Sequence, residues 1–156
     1  MGLFFFMSNV RNILNNIIRL DETDILVSVL KEQRVEDFIV FLNTEKQLRL
    51  GLDSEGKLIT PDYAPTYGAF KERFPGRQAP PGTPDLRLTG AFYKSFVVQV
   101  LDSGDFIIDS NPLKDGFNLM DKYGTDLEGL TKENLEILTD FIALLYVEET
   151  KKRIFQ

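Results

Sequence analysis

Pro84-Asp85-Leu86-Arg87-Leu88-Thr89-Gly90-Ala91-Phe92-Tyr93-Lys94-Ser95-Phe96 leaves a Pro/Gly-rich loop and runs directly into Val97-Val98-Gln99-Val100. Polar loop residues, then Gly, then aromatic and β-branched residues mark a loop-to-strand junction. Thr89 and Gly90 form its structural turn, because Gly accepts backbone angles that other residues resist. The reading expects a strand over 91–101, a turn at Asp102-Ser103-Gly104 and a returning strand at Asp105-Phe106-Ile107-Ile108-Asp109. The stretch holds no nucleophile–base pair and no metal-ligand set. Lys94 and Ser95 are neighbours on the expected strand, so their side chains point to opposite faces and form no dyad with each other.

Upstream, Ser8 is read as an N-cap. Val10, Ile13, Leu14, Ile17, Ile18 and Leu20 recur at helical spacing and predict an amphipathic helix over 9–20. Asp21-Glu22-Thr23-Asp24 starts the next helix with acids at its positive end. Two apolar groups, Ile25 to Leu30 and Val35 to Leu42, extend the helical region to residue 47, with a break near Arg34. Leu48 to Leu52 and Lys57 to Thr60 flank the turn Asp53-Ser54-Glu55-Gly56 and predict a small hairpin. Residues 61–87 hold Pro61, Pro65, Pro75, Pro80, Pro81 and Pro84, and predict a long loop with a helical turn around 67–73. A loop of that length is usually functional or mobile.

Downstream, a short helix within 114–123 is expected to end at Gly124. Thr131 caps a final helix over 132–153, whose basic end Lys151-Lys152-Arg153 complements the helix dipole. The fold class is therefore α+β. It is a single domain over 1–156, with helices at both ends around a small central antiparallel β-sheet and a long Pro/Gly-rich loop.

Composition agrees with a folded chain. Hydrophobic residues make up 43% and charged residues 27%, and thirteen Phe supply most of the large apolar area. The net charge of -6 gives no basic excess with which to displace counterions from nucleic acid. The chain has no His and no Cys. That removes disulfides, thiolate metal sites, and the commonest general base and zinc ligand. No catalytic residue, metal site or cofactor is assigned, and the chain is read as not an enzyme. The apolar start Met1-Gly2-Leu3-Phe4-Phe5-Phe6-Met7 lacks a basic flank and is too short for a membrane span.

Several local patterns were weighed. Placing Gly56 at the invariant glycine of a calcium loop puts Gly51 where the first carboxylate belongs and Asp62 where the bidentate Glu belongs, so a plain turn is the better reading. Asp102, Asp105 and Asp109 flank a hairpin and read as solvated charges. Lys71, Arg73 and Arg77 form a basic cluster in the central loop, read as solvated or as touching a phosphate or an acidic partner. Residues 1–8 read either as a core staple for the first helix or as an apolar arm, Phe4, Phe5 and Phe6, that docks into a neighbour. The last helix is broad enough in its apolar face for core packing or for partner contact.

Certain segments in order resemble a known group: Leu42-Asn43, Gln47-Leu48, Gly51-Leu52-Asp53, Gly56, Tyr63-Ala64-Pro65-Thr66-Tyr67, Lys71 and Leu86 to Ser95. They are joined by Tyr123-Gly124 and Gly129-Leu130-Thr131 with Glu133-Asn134-Leu135. Together they are similar to the neck (head–tail connector) and tail-completion proteins of tailed bacteriophages, in the flavour of crAss-like and related phages. The resemblance covers roughly residues 40–140 and rests on the order of individually weak pieces. It implies a virion structural protein in a ring of the neck or at the end of the tail, assembled in the host cytoplasm. Its partners would be copies of itself and adjacent portal, neck or tail proteins. DNA would pass without specific binding, and no membrane is involved. Tyr63, Tyr67 and Lys71 would then serve as a contact surface of the loop, with Phe92 and Tyr93 at the scaffold junction. The competing expectation is a small acidic regulatory or inhibitor protein that binds one host partner.

Overall fold

The computed structural model describes the backbone of residues 2–156 and the side chains of residues 9–156. Three helices open the chain: α1 (Gly2–Ile18), α2 (Glu22–Leu30) and α3 (Gln33–Thr44). Ser8 lies inside α1 rather than capping it, because the helix begins at Gly2 rather than at residue 9. The backbone of 2–8 is thus the first two turns of α1, and not a separate arm. The side chains of Phe4, Phe5 and Phe6 lie outside the described residues. Asp21 caps α2 by accepting from the Asp24 amide at 3.0 Å. The next break falls at Lys31 and Glu32, which places Arg34 in the first turn of α3.

A 3₁₀ turn at Leu48–Leu50 follows. The hairpin expected over 48–60 is reduced to one bridge, Leu52 to Leu58. Gly51 sits at φ 74, and a Cβ there would lie 2.6 Å from Thr83 Cγ2, so the central loop presses against this backbone. The long loop contains α4 (Pro65–Lys71), with Pro65 in the first turn, where its missing N–H is not needed.

The expected strand over 91–101 is shorter than its sequence suggests. Gly90, at φ 79, turns the chain into a single helical turn, α5 (Ala91–Lys94), and β1 spans only Val97–Val100. Phe92 and Tyr93 are each 7% exposed. Neighbours on a strand face opposite ways and could not both enter one core, whereas in a helical turn both can. β1 pairs antiparallel with β2 (Phe106–Asp109), with Val98 opposite Ile108 and Val100 opposite Phe106 on the covered face.

A second hairpin follows, β3 (Leu113–Lys114) with β4 (Phe117–Asn118), turned by Asp115 at φ 48 and Gly116 at φ 86. The helix expected within 114–123 is confined to α6 (Leu119–Tyr123), capped by the Asn118 side chain and ending at Gly124. The last helix, α7 (Lys132–Ile154), is capped by Thr131, which accepts from the Asn134 amide at 3.2 Å.

One core joins the parts. Val29 and Leu30 of α2, Val35, Ile39 and Leu42 of α3, and Leu138 and Leu145 of α7 pack with Ile108 of β2 and Phe92, Tyr93 and Phe96. At roughly 1.5–3 kcal/mol for each fully buried large side chain, this cluster is the main favourable contribution to folding. The architecture is α+β: helices at both ends and two small antiparallel hairpins between them. Among the described residues no helix is long and apolar enough to cross a membrane.

Candidate functional site

The central loop is built around one buried charge pair. Lys71, at the end of α4, and Asp85 meet at 2.7 Å, with side chains 1% and 5% exposed. Asp85 Oδ1 also accepts from the Tyr63 hydroxyl at 3.2 Å and the Arg87 amide at 3.3 Å. The Lys71 ammonium donates to the Arg87 carbonyl and lies 5.3 Å from the Phe74 ring centre and 5.9 Å from that of Tyr63. Tyr93 donates its hydroxyl to the Asp85 carbonyl at 2.5 Å. An ion pair out of water is stable only when other donors and acceptors support it, and here the Tyr63 hydroxyl, the Arg87 amide and the Arg87 carbonyl do so. Burial, and then the charge of Asp85, push the phenols of Tyr63 and Tyr93 far above the usual tyrosine range.

Leu86 follows the pair at φ 53, an unusual angle for a side-chain-bearing residue. Its amide is held by the Tyr63 hydroxyl at 2.9 Å. The outward face of this hub forms one wall of an apolar groove, and the β3–β4 hairpin with α6 forms the other. Two adjoining hollows of about 300 and 290 Å³ share Leu86, Leu88, Lys114, Asp115 and Leu119. Tyr63, Tyr67, Phe117 and Tyr123 close the first; Thr89, Gly90, Phe92 and Leu113 border the second. Burial, and then Asp85, also raise the Tyr67 phenol. The groove suits apolar side chains of a partner, with Lys114 and Lys122 at its edge for a nearby acid.

Two helix faces have no cover among the described residues. On α1, Val10, Leu14, Ile17 and Ile18 are exposed, Ile18 at 80%, and successive 100° steps place them within an arc of about 100°. Ile13 lies just beyond that arc and Asn16 about 100° from it, and both are partly buried. Asn16 donates to the Ile154 carbonyl at 3.1 Å, which docks the end of α1 on α7. On α7, Ile137, Leu144 and Val147 are exposed on one face, Leu144 at 68%, interspersed with exposed Glu133, Asp140 and Glu148. α1 carries no acidic residue.

The candidates read from sequence are therefore divided by the fold. Tyr63 and Tyr67 line the groove, and Thr89 and Gly90 border it. Lys71, Phe92 and Tyr93, expected at contact surfaces, are buried, though Phe92 also borders the groove: Lys71 because its charge is matched by Asp85, Phe92 and Tyr93 because α5 turns both rings into the core. Arg77 is interior as well, donating to the carbonyls of Ala79, Pro80 and Thr83. Asp85, Leu113, Phe117 and Tyr123 were not singled out by sequence reasoning, and only Asp115-Gly116, a hairpin dipeptide, could have pointed to the β3–β4 wall.

A second polar assembly was also missed. Asn43 donates to the Leu127 carbonyl at 3.0 Å and accepts from the Gly129 amide at 3.1 Å. Gln47 donates to the Gly129 carbonyl at 3.0 Å and accepts from the Thr131 amide at 2.9 Å. Asn134 donates to the Leu42 carbonyl and to Gln47 Oε1. These amides lace the end of α3 to the start of α7, and all are buried. Among the described residues no group of three or more metal-ligating side chains converges.

Comparison with protein-family models, with curated proteins and with solved structures finds no match to this chain.

Proposed function

We propose that this chain is a virion structural protein of a tailed bacteriophage, one subunit of a ring in the neck or at the end of the tail. The observation that carries the reading is the uncovered apolar arc of α1. Four large aliphatic side chains on one helix face are costly to leave in water, and a neighbouring subunit is the cover a ring supplies.

Charge suggests where that neighbour offers its cover. α1 has no acid and carries Arg11, with Arg19 just beyond its end; the uncovered face of α7 sets Glu133, Asp140 and Glu148 among Ile137, Leu144 and Val147. The arc of α1 on one copy and the acid-edged face of α7 on the next form a head-to-tail contact, the kind of interface from which closed rings are built. The sequence segments that resemble neck and tail-completion proteins add support. Asn43, Gln47, Gly129, Thr131 and Asn134 come from distant parts of that pattern and meet in one hydrogen-bonded lace. A net charge of -6 suits a subunit past which DNA slides without being held.

Sedimentation velocity of the full chain tests the contact. The reading expects association that grows with protein concentration, and its loss in the variant Leu14→Asp/Ile18→Asp with the thermal transition of the monomer kept. A wild-type chain that stays monomeric at every concentration contradicts self-assembly and favours the regulatory or inhibitor alternative.

A further inference from the structure

A third hollow, of about 300 Å³, opens on the side of the central loop away from the groove's hairpin wall, and its chemistry is different. Arg49, Lys71, Arg77 and Arg87 line it together with Asp85, Phe74 and Gly76. Four cationic side chains at one place are unexpected in a chain of net charge -6. Three carboxylates answer them. Glu45 bonds Arg49 at 2.6 Å and lies 3.8 Å from Arg87, Asp85 pairs with Lys71, and Glu72 lies 3.2 Å from Arg77. The cluster keeps a net charge of +1.

Two of the four cations stand out by their surroundings. The Arg77 side chain is only 5% exposed, its terminal nitrogens bind backbone carbonyls, and its buried Nε has no hydrogen-bond partner among the described residues. A buried guanidinium donor without an acceptor is costly and calls for a partner such as an ordered water or a bound anion. Arg87 is the accessible member. Its side chain is 43% exposed, and its guanidinium lies 6.0 Å from the centre of the Tyr93 ring and 3.8 Å from Glu45.

We propose that this cleft binds a single carboxylate, of the kind carried by an acidic side chain or a chain terminus of a partner protein. Arg forks match the planar geometry of a carboxylate. A monoanion also neutralises the residual charge of the cluster, whereas a phosphate dianion would leave a net negative charge in a recessed space. The site is separate from the apolar arc of α1, so it stands or falls independently of ring formation.

The arginine Nε–Hε resonances of the ¹⁵N-labelled full chain report on the cleft directly. Acetate is titrated against the wild type and Arg87→Gln, with inorganic phosphate and a short DNA duplex as comparison ligands. The expected result is a saturable shift of the Arg77 signal with acetate, and binding weaker by roughly tenfold in Arg87→Gln, the usual effect of losing one charge-assisted hydrogen bond. The thermal transition of Arg87→Gln, read alongside, establishes that the variant is folded. A linear drift with acetate that is equal in both proteins overturns the site. Saturation by phosphate at lower concentration than acetate, or by DNA alone, overturns the carboxylate assignment.

Discussion

Replacing Asp85 with Asn removes one charge from the interior without removing its shape. The Asn Oδ1 can still accept from the Tyr63 hydroxyl and the Arg87 amide, and the Lys71 ammonium keeps the Arg87 carbonyl and two aromatic faces. What is lost is the compensation of a positive charge that is 99% out of solvent. Breaking a buried pair in this way costs about 3–5 kcal/mol, and the surviving partners of Lys71 place this case near 3. With a urea slope of about 2 kcal/mol/M, the midpoint falls by roughly 1.5 M. Lys71→Met/Asp85→Asn removes the stranded ammonium while its aliphatic stem keeps its packing, so the double variant is more stable than Asp85→Asn alone, by about 2 kcal/mol. Urea denaturation of the wild type, both single variants and the double variant provides the full cycle. A loss under about 1 kcal/mol for Asp85→Asn, or a double variant no better than the single, would refute the buried pair as the organiser of the central loop.

Other perturbations read different parts of the fold. Gln47→Leu leaves the Gly129 carbonyl, the Thr131 amide and one Asn134 donor unmet, and is expected to lower stability by about 2–4 kcal/mol in chemical denaturation. Gly51→Ala combines an unfavourable φ with a Cβ 2.6 Å from Thr83 Cγ2, for a cost of about 2–4 kcal/mol; adding Thr83→Ser, which removes that methyl, recovers part of it. The raised phenols of Tyr63 and Tyr93 set the alkaline limit. A folded value above the unfolded one means that the native state holds its protons longer, so the stability they contribute is complete below pH about 10 and is lost as pH rises past it. Thermal melts from pH 8 to 11 should fall beyond pH 10 and fall less in Tyr63→Phe.

Local signals carried much of the architecture. α7 was legible because Thr131, a recurring apolar face and a basic end agree with one another, and the β1–β2 hairpin because Asp102-Ser103-Gly104 stands between β-branched runs. Ala91-Phe92-Tyr93-Lys94 misled because aromatic residues favour strands, while the decisive factor was tertiary: both rings had a core to enter. The β3–β4 hairpin was missed although Asp115-Gly116 announces it, since two-residue strands leave no alternation to detect. Ser8 misled as a cap because the apolar residues before it continue the same helix.

The candidate sites were less legible, for a related reason. Lys71 looked like a surface cation because nothing near it in sequence marks its partner; Asp85 is fourteen positions on and arrives only when the Pro-rich loop closes. Tyr63 and Tyr67 stood out as aromatics in a loop, but their opposite wall, Phe117 and Tyr123, comes from a distant segment. The exposed arc of α1 was visible as an amphipathic pattern. That Asn16, on another flank of the helix, bonds the Ile154 carbonyl of α7 emerged from packing alone.

The central claim, a ring subunit of the virion, is tested most directly by quantitative mass spectrometry of purified phage particles that encode this chain, with the portal protein as internal standard. The account predicts that the chain is present at a fixed number of copies in simple proportion to the portal ring. Its absence from intact particles, with the chain abundant in the infected cell, would contradict the account.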